Sequence, residues 1–84
     1  MAQPGNVLTR RQKQILQMAA TGHSNKLIAN TMGIALRTVK HHFENIFKRL
    51  GAEDRAHAVA IGLLHELIVF GPEEERQYRK VRNG

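Results

Sequence analysis

Charged and amide side chains crowd one side of a predicted helix in the segment 33–51, GIALRTVKHHFENIFKRLG. At roughly 100° per residue, the apolar residues from Leu36 to Leu50 fall within about 100° of one another. The rest of the helix surface combines strong donors, one carboxylate and groups that both donate and accept hydrogen bonds. Its members are Arg37, Thr38, Lys40, His41, Glu44, Asn45, Lys48 and Arg49. This mixture suits contact with a polar, negatively charged partner.

These side chains are of the types that distinguish base pairs in a DNA major groove. Lys and Arg bond guanine edges, Asn bonds adenine, and Glu accepts from cytosine N4. Flanking cations meet phosphates, which position a helix without reading sequence. The alternative is an ordinary solvated face, which usually alternates charge signs in i,i+4 pairs. Glu44 and Lys48 have the spacing of one such pair. The excess of cations over acids nevertheless favours a DNA-reading face.

The positive charge of the chain is concentrated in the same region. Residues 1–52 contain eight Lys and Arg and a single acid, Glu44, which gives a net charge of +7. Residues 53–84 contain five bases and six acids, a net charge of −1. A basic patch indicates a polyanionic partner, with nucleic acid first. The alternative is a generic solubilising surface.

Composition excludes several classes of protein. The 84 residues are enough for one domain. The chain has no cysteine, which excludes a disulfide scaffold and a thiolate metal site. No apolar run approaches the roughly 20 residues of a membrane helix, and the N-terminus does not resemble a secretory signal. We therefore expect a cytoplasmic protein with no membrane contact.

The five histidines do not predict a metal site. His41 and His42 are adjacent and point in different directions on a helix, whereas His57 and His65 lie two turns apart. No carboxylate completes a plausible zinc site with any of them. The sequence also shows no Ser/His/Asp set, paired carboxylates or phosphate-binding loop. We expect neither an enzyme nor a bound cofactor or metal.

Four helices are predicted to position the polar face, giving an all-α, compact four-helix domain with a central helix-turn-helix. Thr9 and Gln12 form a capping box before residues 10–20, Ser24 caps 25–32, and Asp54 caps 55–69. Helix 3, residues 36–50, follows Ala35, which has no capping group. The predicted organisation is a flexible arm over 1–7, the domain over 8–70, and either a charged tail or a short fifth helix over 71–84.

Three segments, LTRRQKQIL, GHSNKLIANTMGIALRTVKHHFENIFKRLGA and RAHAVAIGL, resemble the LuxR/FixJ-type helix-turn-helix domain of bacterial transcription regulators. The resemblance covers about residues 8–68. It implies a domain that binds DNA as a dimer, with helix 3 as recognition helix and helix 4 as dimer contact. By position, it implies base contacts for Lys40, His41 and Glu44. It implies backbone contacts for Lys26, Thr38, Asn45 and Lys48.

Four residues depart from the family pattern. Gln12 and Leu27 stand where the family commonly has Glu, and Ala35 replaces the usual Ser, Thr or Asp cap. Glu44 stands where the family often has a cation or a small polar residue. A carboxylate at that position is repelled by DNA unless it pairs with cytosine N4 or a neighbouring base.

Helix 4, RAHAVAIGLLHELIV, is apolar nearly all round. Ala58, Val59 and Gly62 are predicted to pack inward. The outward patch suggests a partner surface, and a two-fold homodimer is the family-consistent partner. Its predicted members are Ala60, Leu63, Leu64 and Leu67. The alternative is that the segment 73–84 folds back over the patch with Tyr78 and Val81.

Together these observations predict a sequence-specific regulator that binds double-stranded DNA in the major groove. The alternative is a protein-interaction module that binds RNA polymerase or another regulator through Leu27 and the helix 4 patch, with weak or no specific DNA binding. Family members usually carry a receiver or ligand-sensing domain before the DNA-binding part. Only seven residues precede LTRRQ here, so the chain is either a stand-alone regulator or an excised domain, and Met1 favours the former.

Overall fold

The computed structural model describes residues 7–69. They form four α-helices, Arg10–Ala20 (α1), Asn25–Met32 (α2), Leu36–Leu50 (α3) and Arg55–Leu64 (α4). No β-strand occurs in this part of the chain, so the predicted all-α fold with a helix-turn-helix is confirmed. α3 packs against each of the other three helices, and α1 packs against α4. The tail over 71–84, any fifth helix there, and residues 1–6 of the predicted arm lie outside the described residues.

Side-chain caps begin three of the four helices as predicted. The Gln12 N–H donates to Thr9 Oγ1 at 3.1 Å, and the Thr9 N–H donates to Gln12 Oε1 at 2.9 Å, which completes a capping box. Ser24 accepts from the Leu27 N–H, and Asp54 accepts from the N–H of His57. Each cap satisfies a backbone donor that has no partner within its helix. Each cap joins two residues three positions apart in the chain, so the first residues of these helices can be predicted from the sequence.

α4 ends five residues before its predicted end, at Leu64 rather than at residue 69. The chain turns back at Glu66, whose φ is 58°, and the Leu67 N–H donates to the carbonyl of Gly62 at 2.8 Å. The turn brings Ile68 under α4, where it is 5% exposed. A Cβ on Gly62 would lie 3.0 Å from side-chain atoms of both Ile68 and Leu16. The chain therefore leaves the helix after Leu64 and buries Ile68 instead of continuing α4. Position 62 must be glycine, because a larger side chain would occupy the space that Ile68 fills.

The core lies between α1, α3 and α4, with α2 closing one side. Residues predicted to face inward on α1, Ile15, Leu16 and Ala19, are buried. On α3, Val39, Phe43 and Ile46 are buried, while other members of its apolar stripe are half-buried or exposed. Because this stripe fills the core, the opposite side of α3 faces outward. None of the helices in residues 7–69 has the length and apolar character to span a bilayer.

Candidate nucleic-acid interface

The polar face of α3 is presented to solvent. Arg37, Lys40, His41, Glu44 and Lys48 are exposed. Arg49 is also exposed, whereas Thr38 and Asn45 are half-buried beside them. Lys26 is exposed on α2. We call the α3 set, Arg37, Thr38, Lys40, His41, Glu44, Asn45, Lys48 and Arg49, the outer face of α3.

Two shallow concavities divide this outer face. The first, toward the start of α3, is lined by Arg37, Thr38, Lys40, His41 and Glu44. It therefore brings together all three residues for which base contacts are implied. The second is lined by Asn45, Lys48 and Arg49 of α3 together with a residue of α1, Gln12. Lys26 of α2 lines neither concavity.

The cations of the outer face have no carboxylate partner in residues 7–69. Within 4.0 Å, the contact between oppositely charged side-chain types in this part of the chain is that of His41 with Glu44. Their Nδ1 and Oε1 atoms are 3.5 Å apart. The Glu44–Lys48 pair expected from the i,i+4 spacing does not form within that distance, because the carboxylate turns toward His41.

The start of α3 has no side-chain cap, as predicted from Ala35. The Thr38 and Val39 N–H groups donate to the Ala35 carbonyl at 3.0 and 3.2 Å. The earliest N–H groups of a helix are otherwise left to water or to a ligand anion. Arg37 and Thr38 flank this opening in the first concavity. This geometry suits a phosphate contact.

Arg49 and Gln12 hold the end of the N-terminal segment beside α3. The guanidinium of Arg49 donates to the Val7 carbonyl at 3.0 Å. Gln12 is 7% exposed because its amide oxygen closes the capping box of α1. The departure from the family's usual Glu therefore leaves this cap intact.

Arg55 ties α4 to the start of α2, a role that sequence reasoning missed. Its guanidinium donates to Asn25 Oδ1 at 2.6 Å and to the His23 carbonyl, and lies 5.2 Å from the ring centroid of Phe43. Burial lowers the pKa of Arg55. We call this set, Arg55 with Asn25, His23 and Phe43, the Arg55 joint. Its hydrogen-bond partners lie 30 and 32 positions away, so no local spacing reveals it.

The predicted dimer patch is not one continuous helical stripe. Ala60 is exposed and Leu64 is 77% exposed on α4. Leu63 is half-buried and packs against the core. Leu67 lies beyond the end of α4, where it is also half-buried against the core. The helix ends too early to carry Leu67, so Ala60 and Leu64 form the outward part of the patch.

The histidines have separate surroundings. His23 Nδ1 lies 2.9 Å from Thr21 Oγ1, and His57 Nδ1 accepts from the Glu53 N–H at 3.1 Å. Burial lowers the pKa of His42, with smaller contributions from Arg11 and His41. Residues 7–69 contain no group of three or more His, Cys, Asp or Glu arranged to hold a metal ion.

Comparison with known proteins agrees with this fold. The family model described as bacterial regulatory proteins, luxR family, matches residues 6–61. Response regulator protein VraR of Staphylococcus aureus (strain Mu3) is 42% identical over 62 residues, which are 74% of this chain and 30% of VraR. The VraR proteins of Staphylococcus saprophyticus and Staphylococcus epidermidis match to the same extent. The matched part thus spans less than a third of these curated relatives. With its four helices and central helix-turn-helix, the chain belongs to the luxR family of bacterial regulatory proteins.

Proposed function

We propose that this chain binds double-stranded DNA sequence-specifically and regulates transcription, with α3 lying in the major groove. The observation that carries the proposal is the outer face of α3, whose exposed cations have no carboxylate within 4.0 Å in residues 7–69. In helix-turn-helix proteins the second helix of the pair enters the groove. α3 is that helix here, and its 15 residues extend about 22 Å. Membership of a family of regulatory proteins supports the same function.

Within this proposal, the first concavity faces the bases. Lys40, His41 and Glu44 line it together and supply donors and an acceptor at close quarters. The remaining cations meet phosphates on both sides of the groove, which positions α3 without reading sequence. These phosphate contacts come from Arg37, Thr38, Asn45, Lys48 and Arg49, with Lys26 on α2.

We further propose that the protein binds DNA as a two-fold dimer through α4. Support comes from Leu64, whose 77% exposure leaves a large apolar side chain in water next to exposed Ala60. Leu63 and Leu67 would form the inner edge of the contact. A two-fold dimer presents two α3 helices about 34 Å apart, which matches a palindromic site.

Exposure of Leu27 favours a second candidate function, a protein-interaction module. Leu27 is 47% exposed on α2, on a surface separate from α4. In that case Leu27 and Leu64 would bind RNA polymerase or another regulator, and DNA binding would be weak or unspecific.

Fluorescence anisotropy with a selected palindromic duplex and its scrambled counterpart, each titrated with salt, tests the proposal. We expect the palindrome to bind about a hundredfold or more tightly, and both affinities to fall steeply with salt. Leu64→Asp should separate the two subunits and weaken palindrome binding, while binding to one isolated half-site persists. Equal, weak binding to both duplexes would contradict sequence-specific reading and favour the protein-interaction function.

A further inference from the structure

Glu44 is an anomaly on the outer face of α3. It is the only acid in residues 1–52, and its side chain is 70% exposed in the middle of a cationic helix. An unpaired carboxylate placed against DNA phosphates lowers affinity by charge repulsion. Neither Lys40 nor Lys48 lies within 4.0 Å to neutralise it. Its position in the first concavity places it beside Lys40 and His41.

The imidazole of His41 lies between Glu44 and Asn45. Its Nδ1 is 3.5 Å from Glu44 Oε1, and its Nε2 is 3.4 Å from Asn45 Nδ2. The Asn45 amide nitrogen is a hydrogen-bond donor, so it lies on the Nε2 side of the ring, while Nδ1 faces the carboxylate of Glu44. His41 is thus flanked by Asn45 on one side and by the carboxylate of Glu44 on the other.

This arrangement orients the carboxylate as an acceptor. His41 Nδ1 lies 3.5 Å from one oxygen of Glu44, and the Glu44 side chain is 70% exposed in front of α3. In the major groove, cytosine presents its N4 amine as a donor, and Glu is suited to accept from it. Adenine also presents an amine, but its N7 acceptor lies next to that amine and repels a carboxylate.

We infer that Glu44, oriented by His41, determines specificity by requiring a cytosine at one position of each DNA half-site. The inference rests on the proposed DNA-reading function and adds the base that this residue selects. Glu44 is the base-contacting residue, and His41 is a positioning residue that acts through it.

Competition binding with duplexes carrying each of the four bases at every half-site position tests the inference. For the unsubstituted protein we expect one position at which cytosine is preferred by about 5- to 150-fold, which corresponds to about 1–3 kcal/mol for one good base contact. Glu44→Ala should abolish the preference at that position alone and strengthen binding to scrambled DNA, because a negative charge is removed.

Glu44→Gln provides the sharper result. A glutamine amide bonds adenine N6 and N7 together, so the preferred base should change from cytosine to adenine at the same position. His41→Ala should reduce the cytosine preference at the position read by Glu44, and His41→Gln, which keeps a donor, should restore part of it. Glu53→Gln, which removes an exposed acid outside α3, is the matched control and should leave every base preference unchanged.

The experiment distinguishes failure of this inference from failure of the proposed DNA-binding function on which it rests. If the unsubstituted protein does not distinguish palindrome from scramble, the proposed function fails. If it does, but Glu44→Ala strengthens binding to all duplexes equally and changes no base preference, the carboxylate only repels phosphate and the inference is overturned. Because Glu44 is exposed, we expect all Glu44 variants to unfold at the same temperature as the parent. Circular dichroism melts check this.

Discussion

The outer face of α3 and the Arg55 joint use the same kinds of side chain in opposite ways. On the outer face, cations point into solvent and no carboxylate in residues 7–69 lies within 4.0 Å of a Lys or Arg. At the joint, a half-buried guanidinium donates to oxygens of α2 and of the preceding turn, and lies over Phe43 of α3. The joint uses its donors within the fold, as Arg49 does with the Val7 carbonyl, whereas the other outer-face cations have no carboxylate within 4.0 Å in residues 7–69.

Charge alone therefore does not identify a binding residue in this domain. Arg55 and Arg37 contribute equally to the net charge, yet Arg37 is exposed and Arg55 is half-buried. The joint is made by side chains from α4, α2 and α3, so it holds the helix-turn-helix against α4. The outer face depends on that support, since its own residues make few bonds to the rest of the protein.

Loss of the Arg55 joint should have the largest effect. Arg55→Met keeps much of the apolar stem but leaves Asn25 Oδ1 and the His23 carbonyl without their donor. We expect the free energy of unfolding to fall by about 1.5–3 kcal/mol, the range for hydrogen bonds to a charged group. Urea denaturation followed by circular dichroism measures it. Arg37→Met on the outer face is the matched control, with an expected change within about 0.5 kcal/mol. Equal losses of unfolding free energy in both variants would mean that Arg55 stabilises the fold no more than Arg37 does.

Substitutions at Lys40 on the outer face of α3 and at Lys26 on α2 should change DNA binding rather than stability. Lys40→Ala should cost about 1–3 kcal/mol of binding to the preferred duplex and relax specificity at one position. Lys26→Ala should weaken binding to all duplexes alike and reduce the salt slope by about 1. Anisotropy titrations at several salt concentrations measure both. A uniform loss for Lys40→Ala would mean that it contacts phosphate only.

A cap added to α3 should stabilise the domain by a smaller amount. Ala35→Ser supplies the acceptor that α3 lacks, and we expect a gain of about 1 kcal/mol in the free energy of unfolding. Ser24→Ala, which removes the cap of α2, should produce a loss of similar size. Thermal and urea denaturation measure the two changes. If Ala35→Ser did not raise the free energy of unfolding, the first N–H groups of α3 would already have adequate hydrogen-bond partners.

The smallest predicted effect is a pH dependence from His42. Burial lowers its pKa in the folded protein below the ordinary value of 6.5, helped by Arg11 and His41. Between the folded-state pKa and about 6.5 the unfolded chain binds more protons, so stability should fall as pH decreases through that window. His42→Gln should remove this part of the pH dependence in urea denaturation between pH 7.5 and 5. An unchanged slope would assign the pH dependence to other groups.

Particular residues show which predictions the sequence supports. The starts of α1, α2 and α4 follow from Thr9, Ser24 and Asp54, and the ends of α2 and α3 follow from Gly33 and Gly51, which have left-handed backbone angles. The exposure of the polar residues on α3 was predictable because one apolar stripe defines the opposite face. The contacts of these residues with DNA and those of the α4 patch with a second subunit stay predictions.

The sequence by itself determined the four helices, their caps and the composition of the outer face, because these depend on residues within a few positions of one another. The tertiary structure decided where α4 ends, which side chain pairs with Glu44, and what Arg55 binds. The end of α4 depends on Ile68 reaching Leu16 past Gly62, and Arg55 reaches oxygens about thirty residues away. Such contacts form only after the helices have packed, so no local pattern in the chain records them.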